Sequence, residues 1–137
     1  MRSGKPILLL EDDQVDVLTV KRALREIKVL NDLHVEPNGE DALKYLHEHP
    51  EDAPCIILLD LNMPRMNGTE FLRRIKQDPE YKKIPVIVLT TSREEQDRIS
   101  SFNLGVAGYM IKPVDYLQFV EVIRTINLYW SISELPT

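Results

Sequence analysis

Apolar residues fall into short runs that recur along the chain. Ile7-Leu8-Leu9-Leu10, Cys55-Ile56-Ile57-Leu58-Leu59 and Val86-Ile87-Val88-Leu89 are uninterrupted. Short, bounded runs of this kind are the form taken by strands buried on both faces of a parallel sheet. Leu33-His34-Val35-Glu36 and Gly108-Tyr109-Met110-Ile111 are weaker strand candidates. Between the runs, apolar positions repeat at helical spacing: Val17, Val20, Leu24 and Ile27, then Ala42, Leu43 and Leu46, then Phe71, Leu72 and Ile75. Ile99 and Phe102 mark a fourth helix, and Phe119, Ile123, Ile126 and Trp130 a fifth. Five alternations of strand and helix predict an α/β fold, a doubly wound five-stranded parallel sheet with helices on both faces.

Length and composition narrow the classes. The 137 residues make one domain over 1–137, with a core at about 6–126, a C-terminal helix and tail over 127–137, and no room for an output domain. The longest apolar run, Cys55 to Leu59, is far short of the roughly 20 residues a membrane span needs. The apolar stretch after the N-terminal Met1-Arg2-Ser3-Gly4-Lys5-Pro6 is too brief for a signal peptide. A single cysteine, Cys55, suits a reducing cytoplasm, where it is read as an inert core residue. The net charge of −5 leaves no excess of cations for phosphate backbones, so no nucleic-acid partner is expected.

The chemistry gathers where strands end. Ligands of such sheets bind outside the carboxyl ends of the strands. Strand one leads into Glu11-Asp12-Asp13, strand three into Asp60-Leu61-Asn62, strand four into Thr90-Thr91-Ser92 and strand five into Lys112-Pro113. Crowded carboxylates repel unless a cation joins them, and hard oxygen ligands suit Mg²⁺. With a metal present, the edge can receive a dianionic phosphoryl group, Lys112 neutralising its oxygens and the Thr90 hydroxyl donating to one.

These residues carry a resemblance. From about Pro6 to Ile126 the chain resembles the response-regulator receiver domains of two-component systems, which share the flavodoxin-like, CheY-like fold. Asp60-Leu61-Asn62-Met63-Pro64-Arg65-Met66-Asn67-Gly68 matches the receiver loop D-x-x-M-P-x-M-x-G. The resemblance implies that Asp60 is the phosphoacceptor and that Glu11, Asp12, Asp60 and the Asn62 backbone carbonyl hold Mg²⁺. It also implies that Thr90 and Lys112 bind the phosphoryl oxygens and that Thr90 and Tyr109 form the switch. Glu11 departs from the family, which often has Asp there; its longer arm would reach the metal directly or through water. A cis peptide before Pro113 is common in the family. Leu89-Thr90-Thr91-Ser92, Tyr129-Trp130 and Leu135-Pro136 look similar to the small receivers that pair with phytochrome-type histidine kinases and tend to dimerise.

The expected function is therefore that of a single-domain response regulator. A sensor histidine kinase supplies the phosphoryl group, and the surface around the fourth helix, fifth strand and fifth helix responds. The chain would catalyse only its own phosphorylation and dephosphorylation. The alternative is a small aspartyl-phosphate phosphatase or phosphotransferase, which would want a second carboxylate where Asn62 stands. Neither G-x-G-x-x-G nor G-x-x-x-x-G-K-[ST] occurs to support a nucleotide-binding module.

The remaining polar residues take ordinary roles. Asp13, Asp16 and Asp32 are read as solvated charges, Asp13 also as a helix cap, with Ser92 capping the helix that starts near Arg93. His34, His47 and His49 are read as surface residues, Gly39 as a turn residue and Gly105 as the close of the fourth helix. In the last helix Val122 and Tyr129 form a second apolar line beside the core stripe, with Leu117 and Leu128 on the other flank. That extra surface points to a homodimer or partner contact through the C-terminal helix.

Overall fold

The computed structural model describes residues 4–122 and 124. The chain runs β1 (Ile7–Leu10), α1 (Gln14–Glu26), β2 (Leu33–Glu36), α2 (Gly39–Glu48), β3 (Ile56–Asp60), α3 (Gly68–Lys76), β4 (Val86–Thr90), α4 (Arg93–Ser101) and β5 (Gly108–Ile111). A last helix, α5, is formed at 116–122. Each of the first four helices starts on a polar side chain that accepts from its orphan N–H groups: Asp13, Asn38, Asn67 and Ser92. Asp13 and Ser92 are the two caps expected from sequence.

All five strands pair in parallel, in the order β2-β1-β3-β4-β5. Side chains alternate across the sheet and divide the core in two. Ile7, Leu9, Ile56, Leu58, Ile87, Leu89 and Met110 pack under α1 and α5, whereas Leu8, Leu10, Ile57, Leu59, Val86 and Val88 pack under α2, α3 and α4. The central strands β1, β3 and β4 are buried throughout, while the edges β2 and β5 are only half-covered. Gln118 of α5 returns its amide to the β5 edge. It accepts from the Ile111 N–H at 2.7 Å and donates to the carbonyls of Ile111 at 3.0 Å and Pro113 at 3.3 Å. No helix among the described residues is long and apolar enough to cross a membrane.

Several sequence expectations change. Val122 is not on an outer line: it is 8% exposed and belongs to the core under α1 and α5 beside Phe119. The two residues are three apart, so one helix face carries both. Leu117 is exposed as expected, at 61%. Ile123, Ile126, Leu128, Tyr129, Trp130, Leu135 and Pro136 lie outside the described residues. Gly105 does not close α4. The helix ends at Ser101, and Asn103 takes the left-handed conformation (φ 53°) two residues ahead of Gly105. Gly39 is not a turn residue but the first residue of α2, where a Cβ would meet Met66 Cγ and the Met66 carbonyl oxygen at 2.8 Å.

His34 is not a plain surface residue either. It is half-buried, stacks on Tyr45 with centroids 3.8 Å apart, and pairs with Glu36 at 2.5 Å. His49 stacks on the same Tyr45 at 4.4 Å. His47 is exposed, its ring tilted toward Tyr81 at 5.6 Å. Cys55 is buried, immediately ahead of β3.

Gly68 fixes how closely α3 approaches the end of β3. Its N–H donates to the Leu61 carbonyl at 3.0 Å, and an added Cβ would collide with the Asp60 carbonyl oxygen and stand 2.6 Å from Leu61 Cα. Because both obstacles are backbone, Gly68→Ala is expected to lower stability by about 1–3 kcal/mol. A urea midpoint equal to that of the wild type would contradict this account of the packing.

Candidate functional site

The parallel register aligns the strand ends. Leu10 is level with Leu59, Asp60 with Leu89 and Thr90 with Ile111. The residues that follow β1 and β5 thus flank the last residues of β3 and β4. The order of the sheet reverses between β1 and β3, the switch point where α/β sheets leave a crevice. Glu11 and Asp12 stand on one side of it and Asp60 on the other.

Carboxylate oxygens of Glu11, Asp12 and Asp60 lie within 4.8 Å of one another. Glu11 is 1% exposed and Asp60 2%, whereas Asp12 faces solvent. Lys112 crosses from the end of β5 into the group. Its Nζ is 2.6 Å from Glu11 Oε1, 3.1 Å from Asp60 Oδ1 and 3.1 Å from Asp16 Oδ2. The Lys112-Pro113 peptide is cis.

Burial pushes the Glu11 carboxyl up to about 8; the neighbouring Asp60 carboxylate adds to the rise, against the opposing pull of Lys112. For Lys112, burial acts against the charged form, but Glu11, Asp60 and Asp16 outweigh it and raise its pKa. Neither oxygen of Glu11 has an aligned hydrogen-bond donor, despite the nearby ammonium. Buried oxygens left in this way beside two further carboxylates fit a divalent cation with a preference for hard ligands.

The other expected residues surround this group. The Thr90 hydroxyl, fully buried, donates to the Met110 carbonyl at 3.4 Å. Tyr109, on β5, is half-buried against the core under α2, α3 and α4. The Asn62 N–H approaches Asp60 Oδ1 at 3.4 Å, and the Asn62 side chain donates to Glu95 Oε2 at 3.0 Å. Glu95 Oε1 accepts from the Thr91 N–H, also at 3.0 Å.

The model of the response regulator receiver domain matches residues 7–124. The chain belongs to the response regulator receiver family. Response regulator Rcp1 of Synechocystis sp. (strain ATCC 27184 / PCC 6803 / Kazusa) is 37% identical over 130 residues, covering 92% of this chain and 88% of Rcp1. The solved bacteriophytochrome response regulator RtBRR is similar with a TM-score of 0.86 and 38% identity, covering 100% of this chain and 85% of its own. The Mn²⁺-bound form of Rcp1 is similar with a TM-score of 0.72 and 35% identity, over 98% of this chain and 99% of that one.

Within the receiver, the structure brings Glu11, Asp12, Asp60 and Lys112 into one group and sets Thr90, at the end of β4, and Asn62, on the loop after β3, beside it. Two acids at the site were not foreseen. Asp16, expected as solvated charge, is half-buried against Lys112. Its signal was its place four residues after Asp12, about one helical turn further on. Glu95 was missed because Ser92-Arg93-Glu94-Glu95 reads as a helix cap.

Glu11 makes the stability of the metal-free receiver depend on pH. Its carboxyl moves from 4.5 to about 8 on folding, so the folded state binds the extra proton between those values. The stability this proton carries is full below 4.5 and is lost as pH rises through about 8. In the presence of a chelator, the urea midpoint should carry a falling component across that window that Glu11→Gln lacks. Parallel pH profiles for the two proteins would contradict the assignment.

Proposed function

We propose that this receiver accepts a phosphoryl group from a sensor histidine kinase on Asp60, in a reaction that needs Mg²⁺. The observation that carries the reading is the buried Asp60 carboxylate 3.1 Å from the Lys112 ammonium, at the centre of three clustered acids. Glu11, Asp12, Asp60 and the Asn62 backbone carbonyl would hold the cation. When bound, it would supply positive charge against the phosphoryl oxygens and offset the repulsion among the acids.

An oxygen of Asp60 attacks the phosphorus of the kinase phosphohistidine in line, forming an acyl phosphate. The P–N bond breaks, and the imidazole leaves with its electron pair. Lys112 neutralises the phosphoryl oxygens from the β5 side. The Thr90 hydroxyl leaves the Met110 carbonyl for a phosphoryl oxygen, and Tyr109 follows inward. The surface around α4, β5 and α5 then changes, driven by contacts that exist in only one state.

The likeness to a bacteriophytochrome response regulator supports a phytochrome-type kinase as the partner. The exposed Leu117 is the described residue that supports a dimer contact through the C-terminal helix. The buried thiol of Cys55, the single cysteine of the sequence, suits a cytoplasmic setting. A small-substrate phosphatase is the weaker reading, because Asn62 offers no carboxyl acid and its amide is taken by Glu95.

Acetyl phosphate with Mg²⁺ is expected to label the wild type and to leave Asp60→Asn unlabelled when the products are weighed by mass spectrometry. Equal labelling of the two proteins would refute Asp60 as the acceptor. Asp12→Ala is expected to lose Mg²⁺ binding by titration and with it phosphotransfer, while keeping the fold. Binding of Mg²⁺ at wild-type affinity would remove Asp12 from the ligand set.

A further inference from the structure

Glu95 lies in the first turn of α4, where a Ser-x-x-Glu sequence usually serves the helix alone. Half of that arrangement is present, since the Glu95 N–H donates to Ser92 Oγ at 3.2 Å. In a capping box the carboxylate returns to the backbone N–H of its own cap residue. Here it does something else. Oε1 takes the N–H of Thr91, one residue further back, and Oε2 takes the side-chain amide of Asn62 on the loop after β3. A single half-buried carboxylate thus ties together two loops that are far apart in sequence. One follows Asp60 and carries Asn62; the other follows Thr90 and carries Thr91. The Thr90 hydroxyl is meanwhile turned to the Met110 carbonyl.

We propose that Glu95 is a positioning residue: a clasp between the β3–α3 and β4–α4 loops that stabilises the unphosphorylated arrangement of the site and so slows its phosphorylation. The inference rests on Asp60 being the acceptor. For Thr90 to reach a phosphoryl group on Asp60, its hydroxyl has to leave the Met110 carbonyl, and the next backbone N–H, that of Thr91, is held by Glu95. An arrangement with the clasp intact is favoured by two hydrogen bonds to a charged acceptor. Removing the acceptor shifts the population toward the arrangement that phosphorylation requires.

Geometry and charge can be separated chemically. Glu95→Ala removes both. Glu95→Gln removes the charge but can keep the clasp, because its oxygen accepts from Thr91 while its amide donates to the oxygen of a turned Asn62 side chain.

The test measures the initial rate of labelling by acetyl phosphate with Mg²⁺, and amide exchange at Thr91. Glu95→Ala should label about three- to tenfold faster than wild type and lose protection at Thr91 by a similar factor. Glu95→Gln should restore both values to near those of the wild type. In an Asn62→Ala background, Glu95→Ala should add little further, since the clasp is already open on one side. Labelling of Glu95→Ala at the wild-type rate overturns the proposal. So does equal acceleration in Glu95→Ala and Glu95→Gln, which would assign the effect to charge alone, and so does full additivity with Asn62→Ala. If the wild type is not labelled at all, the acceptor reading fails, and the exchange rates at Thr91 alone then decide whether the clasp exists.

Discussion

The Lys112 ammonium touches carboxylates from three different elements: Glu11 after β1, Asp16 in α1 and Asp60 at the end of β3. Without a cation among them, these acids would drive the strand ends apart or take up protons. Removing one partner of such a buried set leaves uncompensated charge, which costs far more than the set gains over an apolar replacement. The arrangement at the crevice is therefore poised. One fixed cation serves three carboxyl groups, and the buried Glu11 still lacks aligned donors. A site short of positive charge by design is receptive to a divalent ion, and once that ion is present it is receptive to an anionic group.

The sheet makes this concentration of charge tolerable. Its central strands are covered on both faces by two separate apolar layers, so the carboxyl ends of β1, β3 and β4 are rigidly spaced. The polar residues sit just beyond that covered region, where loops of independent sequence converge. Gly68 lets α3 press against the end of β3, and Asn38 and Asn67 start α2 and α3 close by. The stability of the layers offsets the cost of crowding these buried charges.

Much of this was legible in the residues themselves. The three central strands are continuous apolar runs because both faces are buried, and Asp60 and Thr90 interrupt those runs at their ends. The edge strands β2 and β5 gave fainter patterns because half-covered positions tolerate His34, Glu36 and Tyr109. The site acids Asp16 and Glu95 were not legible. Most surface acids are solvated, and only the approach of Lys112 and Asn62 from distant sequence draws these two into the site. Val122 was misplaced for a related reason. Deciding which of two adjacent apolar lines faces the core needs the rotation of α5, and Phe119 at three residues' distance fixes that rotation only once the helix is docked.

The Gln118 amide bound along the β5 edge has a consequence for self-association. A sheet edge offers unpaired N–H and C=O groups that any extended chain can use as a template. At Ile111 both groups are already engaged by an amide that has the donor and acceptor of a peptide unit but no chain to continue it. The ladder is terminated as if by a single-residue strand, and a passing β-segment meets side chain in place of free backbone. At this end of β5, growth of the sheet by a further strand is hindered by the protein's own side chain.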